Sequence, residues 1–435
     1  MPSVSSVWTF VVGILSFGPI VAPLPLLGCS GGFLKLSGYM NAGPLFVLHS
    51  LFLLGYAGLT SLKLVSHQSI RTPIALSVAS VISIALPTVL TLITCSPEWI
   101  DTIAAQTSIS SPLTNLLHPQ GVSFSKWTSP LSVCGDLGTY TNITTIFKGS
   151  LPPKGPVSSE STFFNPAAAL VMQGFGDKAP TTLKTVFFPV PEEYKKESSL
   201  KPGIVIFVHG GAWWSGDPLA PPGPCHADFA FSQGWSYAFI EYRLGRNGWS
   251  GDVQLEDVKD GIQHILKVHE EDVDLRKVVV IGSSAGANLG LTASYQLNNE
   301  KANIEDPIVS GMLVAAPSTS VKIGTGMQSI PKWRGSWDEK EATQRFCQDV
   351  SDCDQKLSPL EHVSKYSPKT VVIHGISDEW YTPHHSRALV RKLARNGIPY
   401  VHIEPPLMPH CIDIVQNSLP WQMGMAALTQ LMDSL

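Results

Sequence analysis

The sequence predicts an α/β domain with a mostly parallel sheet, preceded by a membrane region of about three helices. Two observations lead to this prediction. From Leu183 onward, short β-branched or aromatic runs alternate with amphipathic segments, which is the pattern of βα units. Before that, only three of the first 97 residues are charged, whereas charged residues make up 15% of the 435-residue chain.

Three charge-free apolar runs lie in the N-terminal block, at Val7–Gly28, Pro44–Leu62 and Pro73–Thr94. They are 22, 19 and 22 residues long, and a helix needs about 20 apolar residues to cross the hydrocarbon core. Their prolines and glycines are tolerated in membrane helices because neighbouring helices satisfy the freed backbone groups. Buried core helices are the alternative for all three runs. For the first run, a cleaved secretory signal peptide or a re-entrant segment also stays open.

The basic residues of the predicted loops indicate an orientation. The loop between the second and third runs holds Lys63 and Arg71, whereas the loop between the first and second holds Lys35 alone. The positive-inside rule then places the second loop in the cytoplasm, and everything after Thr94 in a lumen or outside the cell. An N-glycosylation sequon at Asn142 favours the same side.

Composition argues against two classes of protein. The net charge of −4 divides into +3 for the first 97 residues and −7 for the rest, which is unlike a nucleic-acid binder with a basic patch. A hydrophobic fraction of 44% is too high for a disordered chain. The seven cysteines lack the spacing of a zinc site. Cys347 and Cys353 are either a disulfide, as an oxidising lumen would allow, or two free thiols.

The rest of the chain divides into a connector and an α/β domain. Residues 98–182 are rich in Ser, Thr, Pro and Gly and predict an irregular connector, which leaves residues 183–435 for the domain. Residues 318–366 lack strand character and predict a cap over the carboxyl edge of the sheet. The predicted strands are Lys184–Pro189, Gly203–Val208, Ser236–Tyr242, Lys277–Ile281, Gly311–Ala315, Thr370–His374 and Tyr400–Glu404. The predicted helices are His226–Gln233, Gln254–Glu270, Ala285–Leu297, Pro383–Asn396 and Leu419–Met432.

The strongest motif is Gly-Ser-Ser-Ala-Gly at residues 282–286, which follows a predicted strand and begins a predicted helix. This is the G-x-S-x-G pattern in the strand–turn–helix context that exposes a nucleophilic serine. The two glycines allow a tight turn and close packing of the helix against the strand. Ser284 is therefore the predicted nucleophile, while Ser283 does not occupy the middle position. The alternative is a Gly/Ser turn without a chemical role.

A second motif, His-Gly-Gly-Ala-Trp-Trp beginning at His209, directly follows another predicted strand. Acyl transfer needs backbone N–H donors aimed at the developing oxyanion, and small residues let that backbone approach a substrate. Gly211 and Ala212 are the predicted donors from this loop, and the N–H of Ala285 completes the predicted oxyanion hole. Gly210 is the alternative to one of the two loop donors. A glycine turn without a catalytic role is the other interpretation.

From about Thr182 to its C-terminus, the chain resembles α/β-hydrolase esterases that carry an HGG-type oxyanion loop. This group includes BD-FAE-like, hormone-sensitive-lipase-like, kynurenine formamidase-like and prenylcysteine methylesterase-like enzymes. The resemblance depends on HGGAWWSGD at 209–217, EYRLG at 241–245, the acidic helix around Asp257 and GSSAG at 282–286. Ala212 replaces the third glycine of the HGGG variant, which is more similar to the BD-FAE-like and formamidase-like branch. The resemblance implies an α/β-hydrolase fold with a cap insertion, in which the YRL segment supports the fold.

The resemblance also implies the chain order nucleophile, acid, histidine. The family's G-x-x-D-x-x-x-P pattern after the next-to-last strand selects Asp378 as the acid, and Glu379 is out of position. The alternative for Asp378 is a charge at a helix N-terminus. The loop after the last strand supplies His410 as the base. The neighbouring histidines are interpreted as surface or packing residues: His384, His385 and His402.

Tryptophans near the predicted site suggest an apolar or aromatic substrate. The candidate contacts are Trp213, Trp214 and Trp380, and packing is the alternative for each. The predicted function is a membrane-anchored serine hydrolase that cleaves a carboxylic ester, or an amide, through an acyl-enzyme. Its expected partners are a small ester and the lipid bilayer, with no cofactor, metal, nucleic acid or protein partner. The alternatives are an acyltransferase or other non-hydrolytic tailoring enzyme on the same triad, and a non-catalytic membrane interaction protein.

Overall fold

An eight-stranded mixed sheet organises the part of the chain that the structure describes. The computed structural model describes residues 142–147, 183–195, 200–219, 222–320, 346–348, 350–376, 378, 380–405, 410, 413 and 419–435. All of these residues belong to one compact unit. The strands are β1 (Ile143–Phe147), β2 (Leu183–Phe188), β3 (Ile204–Val208), β4 (Ser236–Ile240), β5 (Val278–Ser283), β6 (Gly311–Ala315), β7 (Lys369–Ile373) and β8 (Tyr400–Ile403).

Helices connect the parallel strands and cover the sheet. The strand order is β1-β2-β4-β3-β5-β6-β7-β8, and all pairs from β4 to β8 are parallel. β1 and β2 run antiparallel to their neighbours at one edge. The architecture is an α/β-hydrolase fold, as the sequence predicts. The helices are α1 (Gly223–Ser232), α2 (Gly251–Val268), α3 (Ala285–Lys301), α4 (Cys353–Leu357), α5 (Pro359–His362), α6 (His384–Arg395) and α7 (Leu419–Asp433).

The seven strands and five longer helices predicted from the sequence are all confirmed, with ends that differ by a few residues. The central strands were readily recognised because nearly all of their residues are apolar. Every residue of β3, β5 and β6 is buried, since each strand lies between two others and under helices. α3 packs on β5, and α2 packs on α3. This packing places the start of α3, and with it the nucleophile motif, at the carboxyl edge of the sheet.

Strand β1 corrects the prediction that residues 98–182 form an irregular connector. Its five residues pair antiparallel with β2, from Ile143 opposite Phe187 to Phe147 opposite Leu183. The Thr145 hydroxyl also bonds the Thr185 hydroxyl at 2.7 Å. The Ile-Thr-Thr-Ile-Phe run has strand character, but it is short and surrounded by Gly, Pro and Ser. Pairing with a strand distant in sequence, rather than local propensity, determines its conformation.

The predicted cap region contains two short helices, α4 and α5, in its described part. The structure also decides between the two interpretations of the neighbouring cysteines. Cys347 and Cys353 form a disulfide, with their Cα atoms 5.4 Å apart, a separation typical of a bridged pair.

The predicted membrane spans at Val7–Gly28, Pro44–Leu62 and Pro73–Thr94 lie outside the described residues. Among the helices that the structure does describe, none is long and apolar enough to cross a bilayer. The three spans therefore stay a prediction.

A buried ion pair explains the structural role of the YRL segment, which follows β4. The Arg243 guanidinium bonds both carboxylate oxygens of Asp257 on α2, with Nε–Oδ2 at 2.7 Å and Nη2–Oδ1 at 2.5 Å. The backbone N–H of Arg243 adds a third bond to Asp257 Oδ2 at 3.0 Å. Burial raises the pKa of Asp257, and the hydrogen bonds and charge of Arg243 oppose that rise. The pair ties the segment after β4 to α2, which is the fold-supporting role that the resemblance implied.

We expect Arg243→Met to lower the free energy of unfolding by about 3–5 kcal/mol, because it leaves a buried carboxylate without its partner. Urea titration followed by circular dichroism measures the change. Lys201→Met is the control, since Lys201 and Glu271 form an exposed pair at 3.2 Å and such pairs contribute about 0–1 kcal/mol. Equal effects of the two substitutions would contradict the importance of the buried pair.

Candidate active site

The nucleophile motif forms a strained turn between β5 and α3. Ser284 lies between the last residue of β5 and the first residue of α3, with φ 53° and ψ −117°. A positive φ is unfavourable for a residue with a Cβ and persists only where the surrounding structure maintains it. The Ser284 side chain is 5% exposed. The predicted elbow is thus present, with its serine at the carboxyl edge of the sheet.

The two glycines of the motif are required by space. A Cβ on Gly286 would lie 2.1 Å from the carbonyl oxygen of Val208, and a Cβ on Gly282 would lie 2.6 Å from that of Gly286. Both distances are shorter than any allowed contact. Glycine at 286 therefore lets α3 begin directly against the end of β3, and glycine at 282 lets the turn close tightly after β5. These are the two packing requirements that were inferred from the sequence for the glycines.

The structure brings the three predicted triad residues into one hydrogen-bonded chain. Ser284 Oγ lies 2.7 Å from His410 Nε2, and His410 Nδ1 lies 2.7 Å from Asp378 Oδ2. These residues come from three separate loops, after β5, β7 and β8. All three are buried. The geometry allows the imidazole to accept the serine proton while the carboxylate holds the other ring nitrogen protonated.

Several donors surround the carboxylate of Asp378. The backbone N–H groups of Trp380 and Tyr381 donate to Oδ1 at 2.8 and 2.9 Å. His374 Nε2 lies 3.1 Å from Oδ2. Burial raises the pKa of Asp378, but the charge of His410 and the hydrogen bonds from His374 and His410 outweigh burial and hold that pKa well below its ordinary value. Asp378 is therefore ionised at any pH at which His410 can act as a base.

The other residues considered for the acid and the base do not belong to the hydrogen-bonded chain of Ser284, His410 and Asp378. His384 is exposed at the start of α6, and His385 Nδ1 accepts the N–H of Thr319 at 3.0 Å. His402 is buried within β8, where burial lowers its pKa to about 3. These positions agree with surface and packing roles. Glu379 lies outside the described residues.

The loop after β3 brings its backbone against the nucleophile. A Cβ on Gly210 would lie 2.8 Å from the Ser283 carbonyl oxygen and 3.3 Å from Ser284 Cβ. Gly211 has φ 127°, and a Cβ there would lie 1.8 Å from the Ser215 carbonyl oxygen. The structure thus places Gly210 of the predicted oxyanion loop beside Ser284, and Gly211 allows the tight turn that follows it.

The predicted oxyanion donors are available in this arrangement. Within the described ranges, the backbone N–H groups of Gly211, Ala212 and Ala285 donate to no protein acceptor. Ala285 is the first residue of α3, so its N–H is free of the helical ladder. These three amides, with that of Gly210 beside them, are the groups that the sequence selected.

The histidine that begins the loop has a structural role. His209 is 4% exposed, and burial lowers its pKa to about 4. Its ring stacks on Tyr242 at 4.3 Å, and its Nδ1 lies 2.7 Å from the Gly210 carbonyl oxygen. The Tyr242 hydroxyl donates to the His209 carbonyl oxygen at 2.8 Å. A neutral imidazole therefore joins the oxyanion loop to the YRL segment.

Sequence reasoning missed two polar residues at the site. His374 directly follows β7 and precedes Asp378 by four residues, so a histidine next to a strand end was an available signal. Asp413 is 1% exposed, and its Oδ1 accepts the Ser283 hydroxyl at 3.1 Å. Burial raises the pKa of Asp413 to about 6, although the bond from Ser283 opposes the rise. Nothing in the sequence distinguished Asp413 from a loop aspartate.

The three candidate substrate contacts have different surroundings. Trp380 stacks on the His410 ring with centroids 5.7 Å apart, so it borders the reacting groups. Trp214 is partly exposed. Trp213 is 4% exposed, and its ring is covered by other aromatic side chains. No group of three or more His, Cys, Asp and Glu residues suited to a metal ion occurs within the described ranges.

A known protein family matches part of the chain. Residues 192–393 match the BD-FAE family model. The matched region is just under half of the chain, and it contains the oxyanion loop, the elbow and Asp378 but ends before His410. The family match therefore does not reach His410, whose contacts with Ser284 and Asp378 come from the structure.

Two curated relatives come from Mycobacterium tuberculosis. The chain is 26% identical to esterase LipC over 240 residues, which cover 52% of this chain and 57% of LipC. It is 25% identical to the probable carboxylic ester hydrolase LipM over 222 residues, which cover 49% of this chain and 50% of LipM. The chain thus spans about half the length of the curated relatives that it matches.

Solved structures of esterases also align with the chain. Carboxyl esterase 2 from Tuber melanosporum is 19% identical, with a TM-score of 0.49, over 59% of this chain and 85% of that one. Esterase LipW from Mycobacterium marinum is 16% identical, with a TM-score of 0.48, over 58% of this chain and 78% of that one.

Proposed function

We propose that this protein is a serine hydrolase that cleaves a carboxylic ester of a small, largely apolar substrate. The observation that carries the proposal is the continuous chain from Ser284 Oγ through His410 to Asp378, with a 2.7 Å contact at each step. The similarity to esterase LipC and to the BD-FAE model supports the same class of reaction.

The proposed reaction proceeds through an acyl-enzyme. His410 Nε2 takes the proton of Ser284 as Oγ bonds the carbonyl carbon, and the carbonyl electron pair moves onto oxygen. When the tetrahedral intermediate collapses, the ester C–O bond breaks and His410 returns the proton to the leaving alcohol. Water then attacks the acyl-enzyme by the same steps, which release the acid and restore Ser284.

Backbone amides stabilise the negative oxygen in both tetrahedral intermediates. The N–H groups of Gly211, Ala212 and Ala285 are the proposed donors, two from the loop after β3 and one from the first residue of α3. Donors fixed in a water-poor site need no reorganisation as the charge develops. Removing one such donor typically costs about 10²–10³-fold in kcat.

Aromatic side chains next to the base support an apolar substrate. Trp380 stacks on His410, and the Tyr381 ring lies 5.9 Å from the same imidazole. An ester that contacts these rings gains from burying apolar surface, whereas a charged group there would lose hydration without a partner.

The protein is further proposed to be anchored in a membrane, with its catalytic domain in a lumen or outside the cell. The apolar runs before Thr94 support anchoring. The disulfide Cys347–Cys353 and the disulfide-bonded state of Cys225 support an oxidising compartment. Asn142 is exposed at the start of β1, where a glycan has room. Endoglycosidase treatment tests this placement: a mobility shift that disappears in Asn142→Gln supports it, and cytoplasmic accessibility of the C-terminus contradicts it.

Labelling with a fluorophosphonate tests the proposed chemistry. We expect one adduct, which peptide mapping locates on Ser284, and hydrolysis of p-nitrophenyl acetate and butyrate by the same preparation. Ser283→Ala is the matched control, because it removes the adjacent hydroxyl and should keep both the label and the activity. No labelling of the folded wild-type protein, or an adduct on Ser283, would exclude the proposed role of Ser284.

A further inference from the structure

The oxyanion loop contains two consecutive non-glycine residues in the left-handed region. Ala212 has φ 56° and Trp213 has φ 58°. Such conformations persist only when the surroundings maintain them. Within the loop, the N–H groups of Trp214 and Ser215 both donate to the Gly211 carbonyl oxygen, at 3.1 and 3.0 Å. These bonds shape the turn locally, but they do not fix it relative to the nucleophile.

The backbone and side chain of Trp213 supply contacts from outside the loop. Its carbonyl oxygen accepts Gly245 N at 2.8 Å and Gln254 Nε2 at 2.7 Å. Its indole stacks on Phe346 with centroids 4.3 Å apart and meets Tyr381 edge-on at 6.2 Å. With both types of contact, Trp213 is attached to the YRL segment, to α2 and to the cap.

The indole N–H links this loop to the helix of the nucleophile. Trp213 Nε1 donates to Asn288 Oδ1 at 3.3 Å, and Asn288 is 3% exposed in the first turn of α3. The backbone N–H of Asn288 in turn donates to the Ser284 carbonyl oxygen at 3.2 Å. One buried side chain therefore joins the residue beside Ala212 to the turn that carries Ser284.

Residues of the cap also hold Asn288 in place. Asn288 Nδ2 donates to the carbonyl oxygens of Ser318 at 3.0 Å and Leu357 at 3.1 Å. Phe346, which covers the indole, adjoins the disulfide whose second cysteine begins α4. Asn288 has thus used its acceptor on the indole and both of its amide hydrogens on the cap.

We propose that Trp213 is a positioning residue, which holds the oxyanion amides at their distance from Ser284 through its bond to Asn288 and its stack on Phe346. This role rests on the proposed hydrolase function. It differs from the sequence-based interpretation of Trp213 as a substrate contact. A substrate contact would change KM, whereas a positioning residue of the oxyanion loop changes kcat, because the amides act most strongly in the transition state.

Trp213→Phe in the full-length protein tests the proposal, since phenylalanine keeps an aromatic ring against Phe346 but loses the indole N–H donor and the second ring of the indole. With p-nitrophenyl butyrate we expect kcat to fall about tenfold, in keeping with the loss of one buried hydrogen bond, while KM changes less than about twofold. Binding of a trifluoromethyl ketone, which forms a tetrahedral oxyanion on Ser284, should weaken by the same factor. A change in KM alone, or unchanged kcat and inhibitor affinity, would overturn the proposal.

Trp249→Phe is the matched control. Trp249 is also buried, at 8% exposure, but its Nε1 has no hydrogen-bond partner in the described part of the chain. We expect its kcat to stay within about twofold of wild type, since no hydrogen bond is lost. If kcat fell equally in Trp213→Phe and Trp249→Phe, the effect would come from the loss of any buried indole, and the proposed positioning role of Trp213 would be overturned. A wild-type protein without hydrolysis would overturn the proposed function and, with it, this role.

A double-mutant cycle with Asn288→Ala identifies the bond itself. If Trp213 acts through Asn288, Trp213→Phe should lower kcat by less than about twofold once Asn288 is alanine, because coupled residues are not additive. Circular dichroism verifies that each variant is folded. The same tenfold effect in both backgrounds would exclude the Trp213–Asn288 bond as the link.

Discussion

Ser284→Ala is expected to lower kcat for p-nitrophenyl butyrate by about 10⁶-fold, since alanine offers no atom to bond the carbonyl carbon. The folded structure should survive, because the side chain adds only a hydroxyl whose partner is His410 at 2.7 Å. Alanine also tolerates the backbone conformation at this position no worse than serine does. Steady-state kinetics of the purified variant, with its circular dichroism spectrum compared to wild type, measures the effect.

The control for this substitution is Ser294→Ala on α3, the helix that follows Ser284. Ser294 is fully buried, and its hydroxyl has no hydrogen-bond partner within the described ranges. Its loss should leave kcat unchanged, which would show that removing a buried serine hydroxyl of α3 does not by itself lower kcat. A Ser284→Ala variant that keeps more than a tenth of the wild-type kcat would rule out covalent catalysis by this serine.

Asp378→Asn is expected to lower kcat by about 10⁴-fold while the fold is kept. The carboxylate accepts His410 Nδ1–H at 2.7 Å, which leaves Nε2 free to receive the Ser284 proton. An amide nitrogen at that place would donate to Nδ1, move the ring proton to Nε2 and block the base. An amide also stabilises the imidazolium less than a carboxylate does. The pre-steady-state rate of acyl-enzyme formation measures the step that is affected.

Asp413→Asn is the comparison for the acid. Asp413 is a second buried carboxylate near His410, but its described partner is the Ser283 hydroxyl rather than the imidazole. Asparagine retains an oxygen that accepts this bond, so its kcat should remain within about tenfold of wild type. A larger loss of kcat for Asp413→Asn than for Asp378→Asn would contradict the assignment of Asp378 as the catalytic carboxylate.

Much of the fold could be predicted because its signals are local. β5 begins with four apolar residues, and Gly286 in the motif after it has a definite spatial reason: a Cβ there would lie 2.1 Å from the Val208 carbonyl oxygen. β1 shows where local signals end. Its five residues become a strand by pairing with β2, and the sequence between β1 and β2 shows no regular pattern that predicts the pairing.

The candidate site divides in the same way. Ser284 lies in a contiguous motif, and the resemblance to HGG-type esterases, applied to the predicted strands, selected Asp378 and His410. Their neighbours were not predictable. His374 reaches Asp378 at 3.1 Å, and Asp413 accepts from Ser283 across 130 residues of sequence. Such contacts depend on how loops from different strands meet, and no spacing rule along the chain describes that meeting.

By itself, the sequence determined the strands β2 to β8, the five longer helices, the nucleophile turn and the small residues of the oxyanion loop, because each depends on residues that are adjacent in the chain. Only the tertiary structure decided that Trp213 is buried rather than free to line a pocket. Asn288 lies 75 residues further along the chain and Phe346 belongs to the cap, yet both contact the same indole. Packing of α3 and the cap against the oxyanion loop is the physical reason, since it brings together side chains whose separation in sequence carries no information about their contact.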